Sequence, residues 1–83
     1  MKWTYVWTPT AEDHLMTLWM QAPDRQAVTE SVARIERELR VDADKKGESF
    51  GPYRILKDDP LSVLFTVDLG DCMVRVVQVR RNK

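Results

Sequence analysis

Leu61-Ser62-Val63-Leu64-Phe65-Thr66-Val67-Asp68 decides the fold. Leu61, Val63, Phe65 and Val67 alternate with Ser62, Leu64, Thr66 and Asp68, the period of two expected of a strand with one face on a core. Turn residues bracket it: Asp58-Asp59-Pro60 before and Gly70-Asp71 after. Tyr53 to Lys57 and Cys72 to about Arg80 then read as flanking strands, and such short turns make the three antiparallel neighbours in chain order. The last strand breaks parity: Val74 and Val76 agree, whereas Val77 and Val79 fall on the other face. Either a bulge near Val77-Gln78 shifts the phase or both faces are partly covered.

Upstream, Asp42 to Pro52 is polar and carries Lys45-Lys46-Gly47 and Gly51-Pro52, which predicts a loop. Before it lie two helices. Thr8-Pro9 opens the first, since the threonine hydroxyl caps free amides and a proline in the first turn sacrifices no hydrogen bond. Ala11, Leu15, Leu18, Trp19 and Ala22 form its apolar face. Asp24 caps a second helix running to about Val41, with Val28, Val32, Ile35 and Leu39 as its stripe. The Pro23-Asp24 link is so short that the helices are expected to form an antiparallel hairpin. Arg34 with Glu38, and Glu36 with Arg40, stand four apart and read as a solvated face. At the start, Trp3, Tyr5 and Trp7 alternate with Lys2, Thr4 and Thr8, which predicts a strand whose place in the sheet the pattern does not fix. The fold class is therefore α+β in the order β-α-α-β-β-β, an antiparallel sheet with a helical hairpin on one face.

Eighty-three residues with 43% hydrophobic and 31% charged side chains suit one domain spanning residues 1–83 with one core. There is no apolar run long enough for a membrane span, and Met1-Lys2-Trp3 is not followed by an apolar signal segment. A lone Cys72 makes no internal disulfide, and a reduced, cytoplasmic setting is expected. Formal net charge is zero, but residues 1–44 hold five Lys/Arg against eight Asp/Glu and residues 45–83 hold eight against five. The C-terminal, sheet-forming half is the basic half.

One His14 and one Cys72 fall short of a metal-ligand cluster, and Gly47, Gly51 and Gly70 are too scattered for a phosphate loop. No metal and no cofactor are expected. His14 reads as a surface or boundary residue, and Cys72 as a small apolar one. The remaining chemistry lies in Lys45, Lys46, Arg54, Lys57, Arg75, Arg80 and Arg81. Arg54 sits mid-strand between Tyr53 and Ile55, so its guanidinium projects from the opposite face. There it either receives a phosphate or carboxylate or pairs with Glu48, Asp58 or a helix acid.

In their order and spacing, several segments resemble the RelE/ParE superfamily of toxins from bacterial type II toxin–antitoxin systems. The resemblance is carried by Tyr5-Val6-Trp7-Thr8-Pro9 with Ala11, Leu18-Trp19, Ile35 and Leu39, Gly47-Glu48-Ser49 and Arg54-Ile55-Leu56. Pro60-Leu61, Val63, Phe65, Val67-Asp68, Val74, Val76 and Val79 complete it. It implies a sheet backed by the hairpin, with the functional groove on the open face. In the nuclease members, basic residues hold messenger RNA in the ribosome while a ribose 2′-hydroxyl attacks the adjacent phosphate. A Lys or Glu base and a C-terminal Tyr or His acid assist. The resemblance places Arg54 as the strand arginine, Arg80 or Arg81 as the arginine after the last strand and Glu48 as the base. Lys45, Lys46, Lys57 and Arg75 would hold RNA. It also implies that Arg54 converges with the Arg80/Arg81 pair at one end of the sheet. No Tyr or His follows Arg81, which implies slow cleavage. Another branch inhibits DNA gyrase by binding it, and a third possibility is an inactive homologue. All three share a cognate antitoxin as partner, in a hetero-oligomer or beside a homodimer, and none calls for a membrane.

Overall fold

The computed structural model describes residues 3–82; Lys2, counted in the first alternation, and Lys83 lie outside them. Strand β1 spans Thr4–Trp7 and helix α1 Pro9–Gln21. The Thr8 hydroxyl accepts from the Ala11 amide at 3.2 Å, as its place before proline requires. Helix α2 spans Arg25–Asp42, and the Asp24 carboxylate accepts from the Ala27 amide at 3.1 Å. Strands β3 (Tyr53–Asp58), β4 (Leu61–Asp68) and β5 (Met73–Arg81) form the expected meander.

Two features extend the sequence reading. The segment read as a loop contains a short 3-10 turn, Ala43–Lys45, and a strand β2, Glu48–Phe50, that pairs antiparallel with β3. Gly51-Pro52 is therefore a hairpin turn, and Gly51 takes φ +62°, a value glycine adopts without a Cβ penalty. The first strand, whose place was open, runs parallel to β5, with Tyr5 opposite Val74 and Trp7 opposite Val76. The sheet is thus mixed, in the order β1-β5-β4-β3-β2. Hydrogen bonds from the Thr4 amide to the Cys72 carbonyl and from the Thr8 amide to the Val76 carbonyl close the two ends of this pairing.

The bulge resolves the parity of β5. Leu64 faces Gln78 and Phe65 faces Val76, so Val77 is the extra residue, and beyond it Val79 returns to the core face opposite Val63. Val74, Val76 and Val79 are all buried, beside Leu61, Val63 and Phe65 of β4 and Val28, Ile35 and Leu39 of α2. Both helices lie on this face. Arg34 does not pair with Glu38 as its spacing implied. Its guanidinium instead clamps the Asp58 carboxylate at 2.8 Å and the Asp59 carbonyl at 3.1 Å. The same turn receives the buried Ser31 hydroxyl, which donates to the Asp58 carbonyl at 2.5 Å. The β3–β4 turn lies against α2, so tertiary contact overrides the helical i,i+4 pattern. Glu36 and Arg40 do pair, at 3.0 Å.

Candidate functional site

Strand pairing alone assigns every sheet side chain to a face, because directly opposed residues project together. The core face takes Leu56, Val63 and Val79 in one row. The other face carries three rows: Lys57, Ser62 and Arg80; then Glu48, Ile55, Leu64 and Gln78; then Phe50 beside Tyr53, with Thr66 beside Arg75. Among the described residues no helix covers this second face. Phe50 is 61% exposed and Tyr53 37%, and Leu64 and Ile55 are half-buried between the cations.

Lys57 and Arg80 flank Ser62 from the two neighbouring strands, with backbones about 10 Å apart at the usual strand spacing. They border a groove of about 670 Å³ that Arg81 and Asn82 also line. Arg81 has the opposite parity and faces Leu61, yet it reaches the groove because the strand ends there. Asn82 holds that end. Its amide donates to the Pro60 carbonyl at 2.8 Å, and its side-chain Nδ2 donates to Asp59 Oδ1 at 2.8 Å and to the Leu61 carbonyl at 3.2 Å. The Ser62 hydroxyl donates to Asn82 Oδ1. Sequence reasoning missed Asn82, because a single polar residue after a strand carries no periodic signal.

The other expected site residues lie elsewhere. Arg54 is opposite Phe65, so it belongs to the helix-covered face and not to the face of Arg80. Its Nε donates to the Lys46 carbonyl at 2.8 Å, a backbone partner rather than any of the acids considered for it. Arg54 does not converge with the Arg80/Arg81 pair: Arg80 leaves the sheet on the opposite side, and Arg81, of the same parity as Arg54, pairs with Leu61, four positions along β4 from Phe65. Lys45 lies in the 3-10 turn, close in sequence to the carbonyl Arg54 holds. Glu48 is on the open face, one row from Lys57 and on the neighbouring strand. Arg75 is at the far end of that face and donates to the Met73 sulfur at 3.4 Å. His14 is a half-buried boundary residue near the C-terminal end of β5, beside Val79 and Arg81. Cys72 is half-buried in the turn before β5. Among the described residues no group of three or more His, Cys, Asp or Glu side chains is placed to hold a metal ion.

The strongest titration shift is away from this face. Burial pushes the Tyr5 phenol up to about 12, and the Trp7 indole N–H donating to its oxygen only partly offsets that. Tyr5 also stacks under the Arg40 guanidinium, 5.6 Å from the ring centre. This is a structural cluster between β1 and α2.

No protein-family model and no curated protein matches the chain. Solved structures do. The toxin–antitoxin complex RelBE2 of Mycobacterium tuberculosis contains a chain that superposes with a TM-score of 0.83 at 15% identity, covering 99% of this chain and 100% of that one. A chain of the chromosomal ParDE toxin–antitoxin system of P. aeruginosa gives 0.74 at 16% identity, with 99% and 98% covered. The archaeal RelE–RelB complex of Pyrococcus horikoshii gives 0.69 at 11% identity, with 98% and 96% covered. The chain has the RelE/ParE-type toxin fold over nearly its whole length.

Proposed function

We propose that this chain is the toxin of a type II toxin–antitoxin pair and that it acts by ribosome-dependent cleavage of messenger RNA. The observation that carries the reading is the uncovered sheet face on which Lys57 and Arg80 flank Ser62 while Phe50 and Tyr53 stay exposed a few residues away. Cations beside aromatic rings suit a single strand, whose phosphates need charge and whose bases need flat apolar partners. Arg80 and Arg81 balance the charge that grows on the phosphate as the 2′-hydroxyl attacks, and Lys57 holds the neighbouring phosphate. Glu48 is the base that takes the hydroxyl proton; as the 2′-oxygen bonds to phosphorus the P–O5′ bond breaks, leaving a 2′,3′-cyclic phosphate, and the departing 5′-oxygen takes its proton from water. Arg54 acts as a positioning residue: by gripping the Lys46 carbonyl it fixes the chain two residues before Glu48. Lys45, Lys46 and Arg75 extend the positive field along the strand's path. The cognate antitoxin is the partner that keeps the groove closed, in line with the complexes in which the similar folds are found.

A second reading, binding of DNA gyrase without RNA cleavage, is favoured by one observation. Arg54 donates to the Lys46 carbonyl on the covered face instead of pointing at the groove. Induction in growing bacteria separates the two. Cleavage predicts growth arrest with new transcript ends mapped by primer extension. The double variant Lys57→Ala/Arg80→Ala should lose those ends, since removing one such donor costs about 100-fold to 1000-fold in rate. Arrest with intact transcripts and a DNA-damage response selects the gyrase reading, and induction without arrest, cleavage or damage overturns both.

A further inference from the structure

The bulge in β5 decides what the open face presents. An unbroken ladder continuing from the Phe65–Val76 pair would set Val77 against Leu64 and Gln78 against Val63, turning Gln78 toward the core. With Val77 as the extra residue, Gln78 stands opposite Leu64 and Arg80 opposite Ser62, both on the open face, while Val79 returns to the core.

Gln78 borders a cavity of about 260 Å³ that is joined to the 670 Å³ groove through Ile55, Ser62 and Arg80, which line both. The two differ in chemistry. The groove is bordered by the cations Lys57, Arg80 and Arg81, whereas the cavity has Ile55 and Leu64 of the inner strands as its floor and Phe50 and Gln78 in its walls. Phe50 comes from β2 and Gln78 from β5, three strand spacings or about 14 Å apart, so a ring and an amide close in from two sides. The neighbouring Ser62 hydroxyl is held by Asn82, but the Gln78 side chain has no hydrogen-bond partner among the described residues.

We propose that this cavity takes one nucleobase of the bound strand, the base lying on Ile55 and Leu64 against the Phe50 ring while Gln78 reads its edge. A flat apolar ring system with a polar rim suits such walls, and the phosphate attached to it suits the adjoining cations. Glutamine offers a donor and an acceptor side by side, the pair that matches N6 and N7 of adenine, so adenine is the base selected. An unpaired strand leaves that edge free to be read. Because Arg80 lines cavity and groove alike, the base belongs to a nucleotide next to the phosphate held by Lys57 and Arg80, and the cut falls beside it. The inference rests on the open face being an RNA site and adds to it a preference of sequence.

Fluorescence anisotropy at low salt tests it on the purified chain, with a labelled uridine hexamer and the same hexamer carrying one adenine as probes. The adenine-containing hexamer should bind about tenfold tighter. Gln78→Ala should bind the two alike. Phe50→Ala should weaken both about tenfold, and Phe50→Trp, which keeps a stacking ring, should hold the parent affinity. Equal or absent binding of the two hexamers by the parent, or a preference that survives Gln78→Ala, overturns the proposal. After induction in bacteria, adenine should adjoin the mapped transcript ends. Ends with no adenine bias leave cleavage standing and remove the base pocket, whereas an adenine preference in the purified chain with intact transcripts keeps the pocket and removes cleavage.

Discussion

The two faces of β4 are made by one stretch of backbone and meet opposite fates. Leu61, Val63 and Phe65 are at most 1% exposed beneath the helices, while Ser62, Leu64 and Thr66 between them line an uncovered surface. The covered face is specified by volume, because a packed core feels the loss of a single methyl group. The open face is specified by what its side chains carry, and its backbone is held from behind. A protein that must keep functional groups on a rigid sheet gains from this division, since the groups can change without disturbing the core.

The sharpest way to break that division is to exchange the faces. Inserting one residue into the Asp58–Pro60 turn shifts β4 by one position against β3, which sends Ser62 and Leu64 inward and Phe65 outward. We expect the cooperative melt followed by circular dichroism to disappear; a parent-like melt would show that this turn does not set the register.

Truncations inside and outside the core come next. Phe65→Ala and Leu39→Ala remove fully buried side chains and should cost about 3–5 and 2–5 kcal/mol in chemical denaturation. Arg37→Ala, on the exposed side of α2, should stay within about 0.5 kcal/mol. Equal losses would mean that α2 is rotated about its axis.

Gly47 tests how closely the entry to β2 is pressed against the core. It has φ +77°, and a Cβ there would stand 2.6 Å from the Ile55 carbonyl oxygen and 3.3 Å from the Phe65 ring. Gly47→Ala should cost about 1–3 kcal/mol by denaturation, whereas Gly51→Ala meets no atom within 4 Å and should cost less. Similar costs at the two positions would put the strain in φ alone.

The smallest effect is visible only in alkali. Tyr5 ionises at about 12 in the fold against 10.0 when free, so between those values the native state holds a proton the unfolded chain has lost. Its contribution to stability is full below pH 10 and drains away as pH rises toward 12. Tyr5→Phe should flatten that part of the stability profile, and ultraviolet titration of the parent should show one phenol ionising late. An unaltered profile would mean that the cluster under β1 is open to water.

Much of this division was legible in the sequence. Alternation in Leu61–Asp68, the caps at Thr8 and Asp24 and the stripe of α2 each follow from local rules, and the parity break at Val77 left a bulge as one of two readings, which the pairing with β4 decides. What escaped depended on contacts far apart in the chain. Strand β2 is only three residues long, too short for periodicity, and its one local sign was the Gly51-Pro52 turn. The parallel partner of β1 and the Arg34–Asp58 clamp join segments that no spacing rule connects. For the candidate site, alternation put Arg54 opposite in direction to its neighbours, but only the pairing with Phe65 revealed that this direction leads under the helices. Asn82, which anchors the end of β5, had no pattern to betray it.

The parallel pairing of β1 with β5 also has a consequence in time. Residues 4–7 find their hydrogen-bonding partners only in residues 73–76, so nearly the whole chain must leave the ribosome before the first strand can be paired. At about 5–20 residues per second, the 69 positions between Trp7 and Val76 keep β1 waiting several seconds while the hairpin and the β2–β4 segments can already associate. The sheet is thus completed by β5, the last of its strands in chain order, and until that strand arrives neither the edge that receives β1 nor the segment bearing Arg80 and Arg81 exists in folded form.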